Sequence, residues 1–135
     1  MRPISGVELI TLPVHCDARG EVVVCEGADL PFVPARVFVL RTVEPGAVRG
    51  GHANSCDELI VVASGSVRVE IDNGAVQSSL RLDRPEQALL VRRGVVVRLV
   101  DFVPGTVLLC CASAPYRETR HFAAPWPELM ASCRD

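Results

Sequence analysis

The chain has 135 residues, which suits one domain around one core. Its 14 basic residues are all Arg against 16 acidic ones, for a net charge of −2, and only Arg92 and Arg93 are adjacent. With no basic stripe, no nucleic-acid partner is expected. Apolar residues make up 49% of the chain and mean hydropathy is +0.29, yet no apolar run approaches the roughly 18 residues of a membrane span.

The opening, "MRPISGVELITLPVHCD", lacks the charged-then-apolar order of a signal peptide. A soluble cytoplasmic protein with no membrane partner is therefore expected. Next come short Val-rich runs separated by turn residues: "EVVVCE" after "DARG", "ARVFVLRTV" before "EPGAVRGG", then "ELIVVAS" and "SVRVEID". After Asn73-Gly74 the pattern continues with "VQSSLRL", "ALLVRR", "GVVVRLVDF" and "TVLLCCAS". β-Branched residues with Gly and Pro punctuation predict strands. In "SVRVEID", Val67, Val69 and Ile71 alternate with Arg68, Glu70 and Asp72, so one face is wet and one buried. Asn-Gly is a favoured tight-turn pair, which makes this segment the clearest hairpin. About eight strands without a long helical pattern predict an all-β sandwich or barrel. Only the tail, "PWPELMASCRD", can form a short helix, with Pro127 in its first turn.

The six cysteines, Cys16, Cys25, Cys56, Cys110, Cys111 and Cys133, form no C-x-x-C pair. In a cytosolic protein they are expected reduced, mostly as small core hydrophobes. On a strand, Cys110 and Cys111 face opposite sides of the sheet. Cys56 reads as a loop thiol that Asp57 beside it keeps from ionising easily; a nucleophile near His52 is the alternative.

The segment from Gly46 to Gly65 carries the chemistry. Gly46, five residues, His52, one residue, Asn54, three residues, Glu58, six residues and Gly65 match the first cupin motif, G-x5-H-x-H-x3-E-x6-G, except that Asn54 occupies the second His. His52 and Asn54, two apart on a strand, point the same way. Glu58 joins them if the strand stays regular. A second cupin motif falls on "RRGVVVRLVD", with Gly94 in place but Val97 where a histidine would stand. His52, Asn54 and Glu58 alone make a poor transition-metal set, so no metal or cofactor is expected.

From about Asp17 to Phe122 the chain resembles the sugar-nucleotide 3,4-ketoisomerases, the WxcM-like or FdtA-like cupins. The resemblance rests on "DARGEVVVCEGADLPFVPARVFVL", on "VRGGHAN" against R-G-x-H-A-H, and on "LVDFVPGTVLLCCASAPYRETRHF" against a pattern ending A-S-x-x-Y-x-E-x-D-Y. It implies a single cupin (jelly-roll) domain over residues 1–135, with its core at about 17–122, and a homodimer. It also implies metal-independent proton transfer that converts a 4-keto-6-deoxyhexose, bound as its dTDP derivative, into the 3-keto isomer through an enediol. His52 matches the first family histidine and Arg49 the preceding arginine, and Tyr116 is retained. Asn54 replaces the second histidine, Phe38 and Val39 a Tyr pair, and Val96 and Val97 a Trp-His pair.

The expected catalytic residues are His52, Glu58 and Tyr116. Arg49, Asn54, Phe38 and Val97 are the expected substrate-binding residues. Bland readings stand beside these roles: a hydrogen-bonded barrel histidine for His52, a Glu58 paired with an Arg or amide, a surface ion pair for Arg49, a core Phe38. His15 and His121, near the ends, are expected to face solvent or a partner subunit. An amide cannot abstract a proton, so Asn54 implies a weakened or altered isomerase. Two alternatives remain. One is a repurposed cupin isomerase or cyclase acting on a more apolar carbonyl compound in secondary metabolism. The other is a non-catalytic binding or assembly module.

Overall fold

The structure, a computed structural model, describes residues 1–41 and 43–131; Cys133 lies outside them. Twelve strands form two five-stranded antiparallel sheets and a separate hairpin. The first sheet runs β1 (Val7–Thr11), β9 (Gln87–Val91), β6 (Glu58–Ser64), β11 (Val107–Ala112), β4 (Arg36–Leu40). The second runs β12 (His121–Phe122), β5 (Arg49–Asn54), β10 (Val96–Val100), β7 (Val67–Asp72), β8 (Gln77–Leu82). The hairpin pairs β2 (Val14–Asp17) with β3 (Gly20–Val23). The helix α1 (Pro127–Ala131) begins at Pro127, as expected from the tail.

The strand-forming logic is visible in β7. Val67, Val69 and Ile71 are buried while Arg68 is exposed, so the alternation read from sequence is the two-sidedness of a half-covered sheet. The turn after it is longer than an Asn-Gly pair. Asp72 pairs with Gln77, and the Asn73 Oδ1 accepts from the Ala75 and Val76 N–H groups at 2.9 and 2.8 Å. "ALLV" in β9 does not alternate because both its faces are covered. Leu89 and Val91 join the inter-sheet core, whereas Ala88 and Leu90 join a second cluster with Leu12 and Leu59. Val23, Cys25, Leu30 and Phe32 pack over that second cluster. Cys110 and Cys111 do face opposite ways, Cys110 into the inter-sheet core and Cys111 onto the outer cluster.

Two local devices shape the mouth between the sheets. The first is a β-bulge in β5. Val97 pairs with His52 but Arg98 pairs with Gly50, so Gly51 is the extra residue. Gly50 and Gly51 hold φ of 75° and 89°, the left-handed region that suits glycine. The second is the clamp at the β5–β6 turn. Asp57, 3% exposed, accepts from the Arg93 backbone N–H at 2.9 Å and pairs with the Arg93 and Arg92 guanidinium groups at 3.2 and 3.4 Å. This turn carries the chain from one sheet to the other.

Candidate active site

The turn changes the geometry expected of the G-x5-H motif. Asn54 ends β5 in one sheet and Glu58 opens β6 in the other. Glu58 therefore meets Asn54 across the space between the sheets, not along one regular strand. Its Oε1 accepts a hydrogen bond from the Asn54 Nδ2, and its Oε2 lies 3.8 Å from the Arg36 Nη2. Both acidic oxygens are thus engaged, and the residue is 9% exposed. Burial pushes the Glu58 carboxyl above its ordinary value, with the Arg36 charge and the Asn54 bond opposing the shift.

Above this floor a cavity of about 430 Å³ opens between the sheets. His52, Glu58, Tyr116, Arg49, Asn54, Phe38 and Val97 all line it. The bulge explains Arg49. Residues three apart on a regular strand face opposite sides. The extra residue restores the parity, so Arg49 opposite Leu99 and His52 opposite Val97 share the inner face. Arg36 lies between two rings, its guanidinium carbon 5.3 Å from the Phe38 centroid and 5.4 Å from that of Tyr116. The Arg36 Nε and the Asn54 Oδ1 are buried without a hydrogen-bond partner. Each carries the cost of burying a polar atom without a partner.

One expectation needs correction. Phe38 is not core: it is 38% exposed on β4 and lines the cavity. His121 is exposed, as expected, and it also lines the cavity. It pairs with Asn54 in register, and its ring centroid stands 4.5 Å from that of His52 in an edge-to-face contact. Burial holds the His52 imidazole below its ordinary value, and the neighbouring His121 adds to this. Cys56 is a buried thiol 3.7 Å from the Thr119 Oγ1, its proton held chiefly by burial. Arg36, Cys110 and His121 line the cavity but went unremarked as site residues. Only the parity of "ARVF" (Arg36 two before Phe38) hinted at one of them.

The donor set does not suit a transition metal. Val97 contributes no ligand, and Glu58 is already held by Arg36 and Asn54. Among the described residues no group of three or more His, Cys, Asp or Glu could hold a metal ion. No helix among them is long and apolar enough to cross a membrane. What the arrangement offers is a half-enclosed pocket with an imidazole, a second imidazole at its edge, a guanidinium and a buried carboxyl.

Comparison with known proteins gives a consistent result. A curated TDP-4-oxo-6-deoxy-alpha-D-glucose-3,4-oxoisomerase of Aneurinibacillus thermoaerophilus is 32% identical over 105 residues, covering 76% of each chain. The 3,4-ketoisomerase QdtA of Thermoanaerobacterium thermosaccharolyticum was solved as a histidine-to-asparagine variant in complex with TDP-4-keto-6-deoxyglucose. It is 26% identical with a TM-score of 0.82, covering 87% of this chain and 88% of that one. The TDP-quinovose 3,4-ketoisomerase WlaRB of Campylobacter jejuni shares the fold, with a TM-score of 0.84 at 24% identity over 96% of this chain and 100% of that one. The family described as FdtA: WxcM-like, C-terminal matches residues 5–124, and with that span and these relatives the chain belongs to this family of cupin-like β proteins.

Proposed function

We propose that the protein is a 3,4-ketoisomerase acting on a TDP-linked 4-keto-6-deoxyhexose. The observation that carries this reading is His52, a half-buried imidazole lining an open cavity, in a chain 32% identical to a TDP-4-oxo-6-deoxyglucose 3,4-oxoisomerase. A neutral imidazole is the suitable base at neutral pH, and burial favours that form in His52. His52 takes the proton from the sugar C3. The electron pair left behind forms the C3–C4 double bond, and the C4 oxygen gains a proton, giving the enediol. Return of a proton to C4 and loss of the O3 proton leave the ketone at C3.

Arg36 and Asn54 line the cavity and form part of the polar wall offered to the sugar. Arg49 on the same face suits a phosphate oxygen. Tyr116 and Glu58 assist as polar wall and floor. Because an amide cannot carry the proton, Asn54 makes this an altered site, consistent with a slower isomerase. The protein acts in the cytoplasm as a homodimer. The apolar, exposed edge strand β4, with Val37 and Val39 at 59% and 57% exposure, favours a covered edge.

A second reading draws on Val97, Leu99, Ile60 and Phe38 lining the same cavity. In it, the same proton transfer acts on a more apolar carbonyl compound. One assay separates them. With TDP-4-keto-6-deoxyglucose in deuterated water, the isomerase incorporates deuterium at the reacting carbons and forms the 3-keto product, and His52→Asn abolishes both. Folded protein giving no exchange above buffer overturns the sugar reading.

A further inference from the structure

We propose that His121 supplies the second acid–base group of this site, so that the pair of imidazoles is built across two strands, β5 and β12. The inference rests on the isomerase reading. The cupin pattern places its second histidine two residues after the first; here that position is Asn54. Directly opposite Asn54 in the β5–β12 ladder stands His121. Residues opposite each other in an antiparallel pair share a face. An imidazole on β12 at that register therefore reaches the cavity side by the route an imidazole at residue 54 would use.

The geometry bears this out. His121 and His52 line the same cavity, with centroids 4.5 Å apart and planes at 88°. His121 also lies 5.8 Å from the Tyr116 ring, which lines the same cavity. Asn54 itself is turned to the floor, where its Nδ2 is committed to Glu58. Asn54, at the position where the cupin pattern has its second imidazole, and His121 thus occupy paired positions. Isomerisation needs a proton taken at carbon and a proton given at oxygen in the same step. Two neighbouring imidazoles, one neutral and one protonated, satisfy that balance with no external oxidant or reductant. His52 takes the C3 proton while His121 gives one to the C4 oxygen; His52 then returns its proton to C4 while His121 takes the proton from the O3 hydroxyl.

The test uses the intact protein with TDP-4-keto-6-deoxyglucose and TDP. His121→Asn is expected to lower kcat by about 10²–10⁴-fold and to remove one limb of the pH–rate profile. TDP affinity stays within about twofold. His121→Phe, which keeps an aromatic edge against His52, is expected to be as slow. Adding Asn54→His to His121→Asn is expected to recover at least about tenfold. Wild-type turnover with either His121 variant within about threefold of it overturns the inference alone and leaves the isomerase reading standing. An intact, folded protein that neither exchanges nor converts the sugar overturns both. Full activity in His121→Phe with loss in His121→Asn assigns His121 to packing and also overturns the inference.

Discussion

Replacing Gly50 by Ala tests whether the β5 bulge shapes the site. At φ 75° an L side chain costs about 1–2 kcal/mol. The added Cβ would also stand 2.6 Å from the Val97 carbonyl oxygen, a backbone atom in a paired strand that cannot swing aside. Relieving such overpacking adds about 1–3 kcal/mol, so G50A is expected to cost about 3 kcal/mol. Gly51 is the matched control. Its φ is 89°, but its Cβ would meet only the Arg98 Cγ at 3.8 Å, an ordinary contact. G51A therefore carries the backbone cost alone, about 1–2 kcal/mol. At roughly 4 °C per kcal/mol for a chain of this size, G50A lowers Tm by about 12 °C and G51A by about 6 °C. Circular dichroism melts at matched concentration read the difference. TDP titration should show weaker binding in G50A, because the bulge is what turns Arg49 toward the cavity. Equal Tm values for the two variants, or G50A within about 2 °C of wild type, would refute the argument.

Three further outcomes are expected. Asp57→Ala should cost about 3 kcal/mol at pH 7, because it removes the acceptor of the Arg93 backbone N–H and a buried carboxylate paired with two guanidinium groups. Burial alone would raise the Asp57 pKa, but hydrogen bonds from Arg93 and the charges of Arg93 and Arg92 hold it below the usual carboxylate value. Its contribution is therefore present above the unfolded pKa and lost as pH falls through the lower folded one, so the gap between variant and wild type should close below about pH 4. Urea denaturation at pH 7 and pH 3 checks this; an unchanged gap at pH 3 defeats it. Glu58 has the opposite sign. Burial raises its folded pKa, so wild type loses stability as pH rises from the ordinary carboxylate value through the raised one. Glu58→Gln, which cannot ionise, should then gain on wild type between pH 4 and pH 7, and a difference flat with pH counts against a raised carboxyl. Finally, Leu108→Ala removes a side chain 0% exposed between the sheets. It should cost about 3–5 kcal/mol by chemical denaturation, whereas a cost under about 1 kcal/mol would mean the core collapses around the gap.

Much of the architecture was legible in order along the chain. Local rules act there: β6 and β7 match "ELIVVAS" and "SVRVEID" because β-branched residues and two-residue alternation are strand properties that need no distant partner. Pro127 opening α1 is of the same kind. The motif around His52 was legible too, because its spacing lies within one short segment. Glu58 joins Asn54 without the regular strand that the spacing would need. Three turn residues and the Asp57 clamp carry the chain to the other sheet, and no periodicity signals a change of sheet. Phe38 looked like core because an apolar residue in an apolar run ordinarily is. It is exposed because β4 is an edge strand that, among the described residues, pairs with β11 alone.

The sequence by itself determined the strand-rich class, the faces of the central hairpin and the single imidazole at 52. These follow from side-chain period, β-branching and turn chemistry over a few residues. Only the tertiary structure decided which distant groups meet. Arg36 comes to Glu58, Arg49 turns inward at the bulge, and His121 reaches His52 from the far end of the chain. The physical reason is that strand pairing between remote segments has no local signature: residues 54 and 121 become neighbours through a ladder set by the burial of the whole core.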